Sequence, residues 1–399
     1  MAAGAQPSQM LVERLSLAGF RNYGSLMLEL PPGPQVIAGP NGAGKTNLIE
    51  AILVLGTGRS HRTSADAEMI GWGSTFARLE AEVRAEGGPN ATLEVVMSRP
   101  ASSGSPAGVP SEGDRGGRKR VRVNGVPRRP SSLGAALPVL LFSPEDMLLI
   151  VGSPSLRRAA LDGLVAQLQP AAGSTMSTYA RALVQRNNLL RSVREGLADP
   201  AELGFWNEQI VAEGGRIVSW RRAALADLSR PLATAHEEIA PGEGRLGLRY
   251  LSNAEPRSDE DPPAALRRRL AETADKELWN GATLVGPHRD DLAFEMDGRD
   301  LSGFASRGQQ RSAILAFKLG QLDVLRGRLG RAPLLLLDDV FSELDPMRRA
   351  HLVERIGQLP QAFVTTTTLD DLDPALVAAS TAWAAADGRI TSDRRVTQR

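Results

Sequence analysis

The chain has 399 residues, enough for more than one compact domain, and its charge is nearly balanced, with 47 basic residues against 46 acidic. That balance excludes a general polycation argument for nucleic-acid binding, and the lack of cysteine excludes disulfides, thiol chemistry and cysteine-ligated zinc. The first residues, Met1-Ala2-Ala3-Gly4-Ala5-Gln6-Pro7, lack the basic region and apolar core of a signal peptide, and no apolar run approaches transmembrane length, so a soluble cytoplasmic protein with no membrane partner is expected.

Residues 11–17 and 25–30 alternate apolar and polar side chains, the period of half-buried strands, with Phe20-Arg21-Asn22-Tyr23 between them. Gln35-Val36-Ile37-Ala38 reads as a short buried strand. Residues 47–55 read as a helix offering Leu48, Ile49, Ile52, Leu53 and Leu55 to a core. Between strand and helix stands Gly39-Pro40-Asn41-Gly42-Ala43-Gly44-Lys45-Thr46, a match to Gly-x-x-x-x-Gly-Lys-Thr with Asn47 as the next residue. Glycines at that spacing let successive N–H groups point at phosphate oxygens. The helix N-terminus adds its dipole, Lys45 a point charge, and the Thr46 hydroxyl can ligate Mg²⁺. Nucleotide binding follows from the loop and its flanks together.

Residues 75–86 and 91–99 form a further strand pair around the turn Gly87-Gly88-Pro89-Asn90, and residues 100–117 are a flexible Ser/Gly/Pro/Ala excursion. Val121-Arg122-Val123 and Val126 flank Asn124-Gly125, a strong hairpin signal. This hairpin carries Arg118, Lys119, Arg120, Arg122, Arg128 and Arg129 with no acid among them, which is either a DNA-contacting face or a solubilising surface strand. From 155 to about 270 the period is helical (156–168, 176–193, 205–228, 264–278), interrupted by Pro170, Pro200, Pro231 and Pro241, and predicts a compact helical lobe. Strand character returns at Thr283-Leu284-Val285, at 292–301 around Asp297-Gly298, at 334–337 and at 362–366, with a helix over 309–329. The expected architecture is an α/β fold with one sheet built from both termini. Residues 1–150 form the first part of an ATPase domain, 151–280 the inserted helical domain and 281–399 the second part.

Four leucines followed by Asp338-Asp339 match the acidic strand of a phosphate-loop enzyme, Asp338 facing Mg²⁺ and Asp339 an attacking water as general base, with Lys45 completing the catalytic set. Before it, at a helix start, stands Ser306-Arg307-Gly308-Gln309. Its place between the phosphate loop and the acidic strand, with Ser342-Glu343-Leu344-Asp345 after them, is the order of parts in the ATP-binding-cassette superfamily. In that superfamily such an element caps the γ-phosphate of a nucleotide held by a second protomer. Ser306, Gly308 and Gln309 are accordingly expected to contact ATP across a homodimer that nucleotide closes.

The chain also resembles the RecF family of bacterial recombination mediators, small relatives of SMC ATPase heads. The resemblance spans residues 11–375. It rests on Phe20-Arg21-Asn22-Tyr23, the phosphate loop, Gly58-Arg59-Ser60-His61-Arg62 and Phe142-Ser143-Pro144-Glu145-Asp146, then on Gly152-Ser153-Pro154 with Arg157-Arg158 and Gln185-Arg186-Asn187. Gly286-Pro287-His288-Arg289-Asp290-Asp291 and the stretch from Leu337-Asp338-Asp339-Val340 through Phe341-Ser342-Glu343-Leu344-Asp345 complete it. It implies a slow, DNA-stimulated ATPase that dimerises on ATP, binds single-strand/double-strand junctions in gapped DNA, partners RecR and RecO, and helps load RecA. On that resemblance Arg21 joins the nucleotide contacts, and Arg59 and Arg62 reach nucleotide or DNA phosphate unless they are a solvated loop cluster. His288 and Arg289 are nucleotide-responsive or a local ion-pair cluster. Asp339 stands where most cassette ATPases carry glutamate, and Thr365-Thr366-Thr367-Thr368 where a switch histidine might follow the strand, which leaves the γ-phosphate sensor open. Two other classes compete: the ATPase subunit of a membrane transporter, and a switch that binds ATP to assemble with hydrolysis incidental.

Overall fold

The structure, a computed structural model, describes residues 9–86, 88–99 and 118–392. They form two compact units, one from the residues up to Asp146 together with those from Leu325 onward, the other Met147–Val324. The boundaries expected at 150 and 280 are not those of the units: the strands near 291–300 and most of the following helix pack with the second. The excursion at 100–117 lies outside the described residues.

In the first unit β1 (Met10–Phe20) and β2 (Tyr23–Glu29) pair antiparallel, and β3 (Gly33–Ala38) feeds through the glycine loop into α1 (Lys45–Thr57). β4 (Phe76–Ala85), β5 (Ala91–Ser98), β6 (Arg118–Val123) and β7 (Val126–Arg128) complete an antiparallel sheet of order β2-β1-β4-β5-β6-β7. The β6–β7 turn has Asn124 at φ 52° and Gly125 at φ 74°, the two left-handed residues that a primed two-residue hairpin requires. The short helix α2 (Leu133–Ala136) and strand β8 (Val139–Phe142) close this half of the unit.

The second unit is not all helical. It holds α3 (Pro154–Leu168), α4 (Ala172–Arg194) and α5 (Leu203–Ile239), then β9 (Leu246–Leu251), α6 (Pro262–Glu272) and α7 (Ala274–Asn280). β10 (Asp291–Met296), β11 (Arg299–Asp300) and the start of α8 (Arg307–Leu329) follow. β9, β10 and β11 form an antiparallel sheet; β10 and β11 lie where strands were expected, at 292–301, and β9 lies inside the stretch expected to be helical. Pro231 does not end α5, which runs 37 residues. The backbone N–H that proline lacks is a single bond, and the turns around it bury Leu228, Leu232, Ala235 and Ile239. Residues 264–278 are two helices, broken at Thr273. Thr283-Leu284-Val285 is not a strand, because side chains take its backbone groups: Thr283 N donates to Asn187 Oδ1 (2.7 Å) and Leu284 N to Glu277 Oε1 (2.7 Å).

Returning to the first unit, the chain adds β12 (Leu334–Asp338), α9 (Pro346–Gly357), β13 (Gln361–Thr366), α10 (Pro374–Ala378), β14 (Thr381–Ala386) and β15 (Arg389–Ser392). They join β3 and β8 in a sheet of order β15-β14-β3-β13-β12-β8, parallel except for β15, so one sheet is indeed built from both halves of the sequence. α1 is buried on nearly every face, and its apolar side chains join those of both sheets in one core. Because β3, β12 and β13 run parallel, the glycine loop, Asp338 and Thr366 all emerge at one edge of the sheet, the edge where α/β proteins place their ligands.

Candidate nucleotide site

The phosphate loop is shaped by its glycines and braced by its neighbours. Gly42 and Gly44 lie at φ 83° and 110°, a conformation that turns successive N–H groups to one side. A Cβ on Gly44 would come within 2.6 Å of Asn22 Nδ2 and 2.9 Å of the Tyr23 hydroxyl. Those two side chains brace the loop: the Tyr23 hydroxyl donates to Gly44 O (2.9 Å) and Asn22 Nδ2 to Ala43 O (3.2 Å), while Asn22 Oδ1 accepts from Asn47 Nδ2 (2.7 Å). Tyr23 is therefore fully buried, with its hydroxyl on the loop. From the other side the β14–β15 turn approaches, Gly388 N donating to Ala43 O (3.3 Å). A Cβ on Gly39 would meet Ala385 O at 2.2 Å. The second brace was not anticipated from sequence. Its signal was the dipeptide Asp387-Gly388 after the apolar stretch 382–386.

Lys45 Nζ donates to Gly39 O (2.6 Å) and Pro40 O (3.1 Å) of its own loop. Burial pushes its ammonium pKa down, against the charges of Asp339 and Asp338. Thr46 Oγ1 donates to Asp338 Oδ1 (3.1 Å), bringing the two expected Mg²⁺ ligands together. The donor set fits a hard cation: one hydroxyl and one carboxylate, beside a cradle shaped for phosphate oxygens. Asp339 leaves β12 in the left-handed region at φ 52°, and burial pushes its carboxyl pKa up while the Lys45 charge pulls it back.

Behind the loop, Glu50 of α1 is fully buried and collects cations. Arg21 Nε and Nη2 reach its two oxygens at 2.8 and 2.6 Å, Ser60 Oγ donates at 2.5 Å, and Arg62 Nη1 lies 3.4 Å away. Burial alone would raise the Glu50 pKa; the bonds from Arg21 and Ser60 outweigh it and hold the carboxyl below its ordinary value. Arg21 Nη1 also donates to Glu68 O (2.8 Å), so every arm of this expected nucleotide contact is engaged within the protein. Arg62 bridges to Asn47 Oδ1 (2.8 Å) at the loop helix, whereas Arg59 is exposed and its guanidinium has no carboxylate partner among the described residues. His61 keeps both ring nitrogens buried without a hydrogen bond, and burial pushes its pKa down against the pull of Glu50, Asp338 and Glu145.

The remaining expected residues belong to the second unit or to the β6–β7 hairpin. Ser306 and Gln309 cap α8 reciprocally in the second unit: Gln309 N donates to Ser306 Oγ (3.2 Å) and Ser306 N to Gln309 Oε1 (3.0 Å). The Ser306 hydroxyl is an acceptor here, and its own proton stays available to a ligand. His288, also in the second unit, is part of a buried network. Its Nδ1 lies 2.7 Å from the Tyr179 hydroxyl and its Nε2 3.2 Å from Thr283 O, which fixes the Nε2–H tautomer, and burial pushes its pKa down to about 4. In the hairpin, Arg118, Arg120 and Arg122 share one exposed face as alternation predicts. Lys119 points to the other side and pairs with Asp66 (2.6 Å), and Arg122 shares Glu94 (3.3 Å) with Arg78 (2.9 Å).

Residues 11–381 match the family model of the RecF/RecN/SMC N terminal domain. The chain is 40% identical over 397 residues to the DNA replication and repair protein RecF of Chloroflexus aurantiacus, covering 96% of this chain and 99% of that one. It is 36% identical to its namesake in Limosilactobacillus fermentum, over 96% and 100% of the two chains. Among solved structures it is similar to the recombination mediator protein RecF with ATPγS in the RecFOR pathway, with TM-score 0.85, 27% identity and coverage of 97% and 100%. An Smc head domain from Pyrococcus furiosus shares the fold at TM-score 0.51 and 17% identity, over 96% of each chain.

Proposed function

The chain belongs to the RecF/RecN/SMC N-terminal domain family and is an ATPase with the fold of an SMC-like cassette head, and we propose that it is an ATP-gated DNA-binding protein of gap repair and recombination. ATP binds in the loop Gly39-Pro40-Asn41-Gly42-Ala43-Gly44-Lys45-Thr46. Ser306, Gly308 and Gln309 of a second copy close the site, so that nucleotide drives a homodimer on single-strand/double-strand junctions. There it assists RecA loading with RecR and RecO, and slow hydrolysis resets it. The observation that carries this reading is the Thr46–Asp338 hydrogen bond, which unites two motifs 292 residues apart. A Mg²⁺ ion held by Thr46 and Asp338 would neutralise phosphate charge. Asp339, whose carboxyl pKa burial has raised, is suited to accept a proton from the attacking water. The family leaves the transporter reading without support.

Sedimentation with and without ATP and Mg²⁺, on gapped and on fully duplex DNA, tests the proposal. ATP-dependent dimers that prefer gapped DNA are expected. A monomer under every condition would overturn the sandwich. Asp339→Asn should keep the dimer and stop its turnover.

A further inference from the structure

We propose that Thr365 is a positioning residue of the ATPase centre, its single hydroxyl setting both carboxylate residues of the Asp338-Asp339 pair. The inference rests on the reading of Asp338 as the metal-side carboxylate and Asp339 as the base.

Thr365 lies on β13, level with Asp338 of β12 in the parallel register, and is fully buried. Its Oγ1 donates to Asp338 Oδ1 at 2.7 Å and accepts the Asp339 backbone N–H at 3.0 Å. A hydroxyl has one proton and two lone pairs, so both bonds are made at once. The alternative acceptor for that proton, Leu337 O, is 3.5 Å away and loses to the charged oxygen.

Two consequences follow for the acids. Asp338 Oδ1 receives two hydroxyls, from Thr365 and from Thr46, and no donor among the described residues reaches Oδ2. The carboxylate is thereby locked with one oxygen committed and one left over, the state suited to a hydrated cation. Asp339 is a non-glycine residue in the left-handed region, which costs roughly 1 kcal/mol or more unless the surroundings impose it. The bond from its N–H to Thr365 is a restraint at that residue. Thr365 thus fixes where one acid points and where the other leaves the strand.

Neighbouring hydroxyls do nothing comparable. Thr366 Oγ1 donates to Thr368 O, Thr367 Oγ1 to Asp371 Oδ2, and Thr368 accepts from Asp370 N. A merely structural β-branched residue at 365 would be served equally by valine, which has the same shape and no hydroxyl.

The test compares Thr365→Val and Thr365→Ser in the full chain, reading ATP affinity with and without Mg²⁺, the Mg²⁺ midpoint of ATP hydrolysis, kcat and the melting temperature. Losing an outer partner of a metal-side carboxylate typically costs about 10–100-fold in metal affinity or activity. Valine should therefore raise the Mg²⁺ midpoint and lower kcat by about tenfold or more, with Mg²⁺-free ATP affinity unchanged. Serine should stay close to wild type in each. If the valine variant does not fold, Thr365→Ala takes its place. A hydroxyl-free variant with wild-type Mg²⁺ midpoint and kcat overturns the inference, as does a serine variant as impaired as valine, which would assign the effect to the methyl group. Asp338→Asn separates the two levels. If it leaves the Mg²⁺ midpoint unmoved, the reading of Asp338 fails; if it shifts the midpoint and Thr365→Val does not, only the role of Thr365 fails.

Discussion

Glu50→Gln is the sharpest test of how the phosphate-loop helix is anchored. The carboxylate is fully buried and faces the Arg21 fork, the Ser60 hydroxyl and the edge of Arg62. Glutamine keeps the shape and removes the charge, and its amide NH₂ confronts a guanidinium that needs acceptors. Breaking a buried pair from one side costs about 3–5 kcal/mol. Arg21 is 17% exposed and recovers part of its solvation, so the lower end, about 3 kcal/mol, is expected. For domains of roughly 150–250 residues that corresponds to about 6–12 °C in the melting temperature of the first unit. Ser60→Ala leaves the fork intact but removes a donor to the carboxylate and the acceptor of the Arg62 and Thr63 N–H groups, and should cost about 1.5–3 kcal/mol. The assay is urea unfolding of the wild type, Glu50→Gln, Arg21→Met and the double variant. A coupling energy near 2 kcal/mol is expected for one shared contact. Coupling below about 0.5 kcal/mol would mean that Arg21 and Glu50 act independently, and the picture of Glu50 as the anchor would be wrong.

Two further outcomes follow from the electrostatics. His288 has a folded pKa of about 4 against an ordinary 6.5, so its contribution to stability is complete above pH 6.5 and is lost as pH falls toward 4. Relative to His288→Gln, the wild type should lose about 2.5 kcal/mol between pH 7.5 and 4.5 in urea melts; parallel pH curves would refute the buried neutral imidazole. In the β6–β7 hairpin, Arg118→Ala with Arg120→Ala should flatten the slope of log DNA affinity against log salt by up to about 2, whereas Lys119→Ala, paired to Asp66, should change it little. An unchanged slope in the arginine variant would remove this face from the DNA interface.

Much of this was legible because the motifs are local. The phosphate loop, the leucine strand before Asp338 and the Asn124-Gly125 turn each carry their own geometry in a few residues. What escaped was long-range or tertiary. Leu246, Leu248 and Tyr250 alternate as a strand should, but six residues amid long helical periods did not stand out. Pro231 looked like a helix end because sequence shows the missing N–H and not the packing around it. Thr283-Leu284-Val285 has strand composition, yet Asn187 and Glu277 occupy its backbone donors from far away in the chain. The carboxylate partner of Arg21 lies 29 residues on and looks, in sequence, like an ordinary helix glutamate. The acidic residues of the basic hairpin's surroundings, Asp66 and Glu94, were invisible for the same reason.

The backbone of the site is held by the protein's own side chains. Thr46 and Asp338 are already joined, the glycine loop is braced by Asn22 and Tyr23 on one side and by the Asp387-Gly388 turn on the other, and Ser306 and Gln309 are already mutually capped. Lys45 has to leave the Gly39 and Pro40 carbonyls to reach phosphate, whereas the braced loop backbone does not have to be reordered, which keeps the rest of the ordering cost small. A nucleotide shifts an association only through its different affinity for the open and closed states. With the loop backbone braced in both states, that difference arises chiefly at the contacts ATP gains on closure, the Ser306 hydroxyl proton and the Gly308 N–H of the second copy. On the proposed reading, Ser306→Ala should therefore weaken ATP-induced dimerisation while leaving ATP affinity of the monomer nearly unchanged, whereas changes at Lys45 should abolish both.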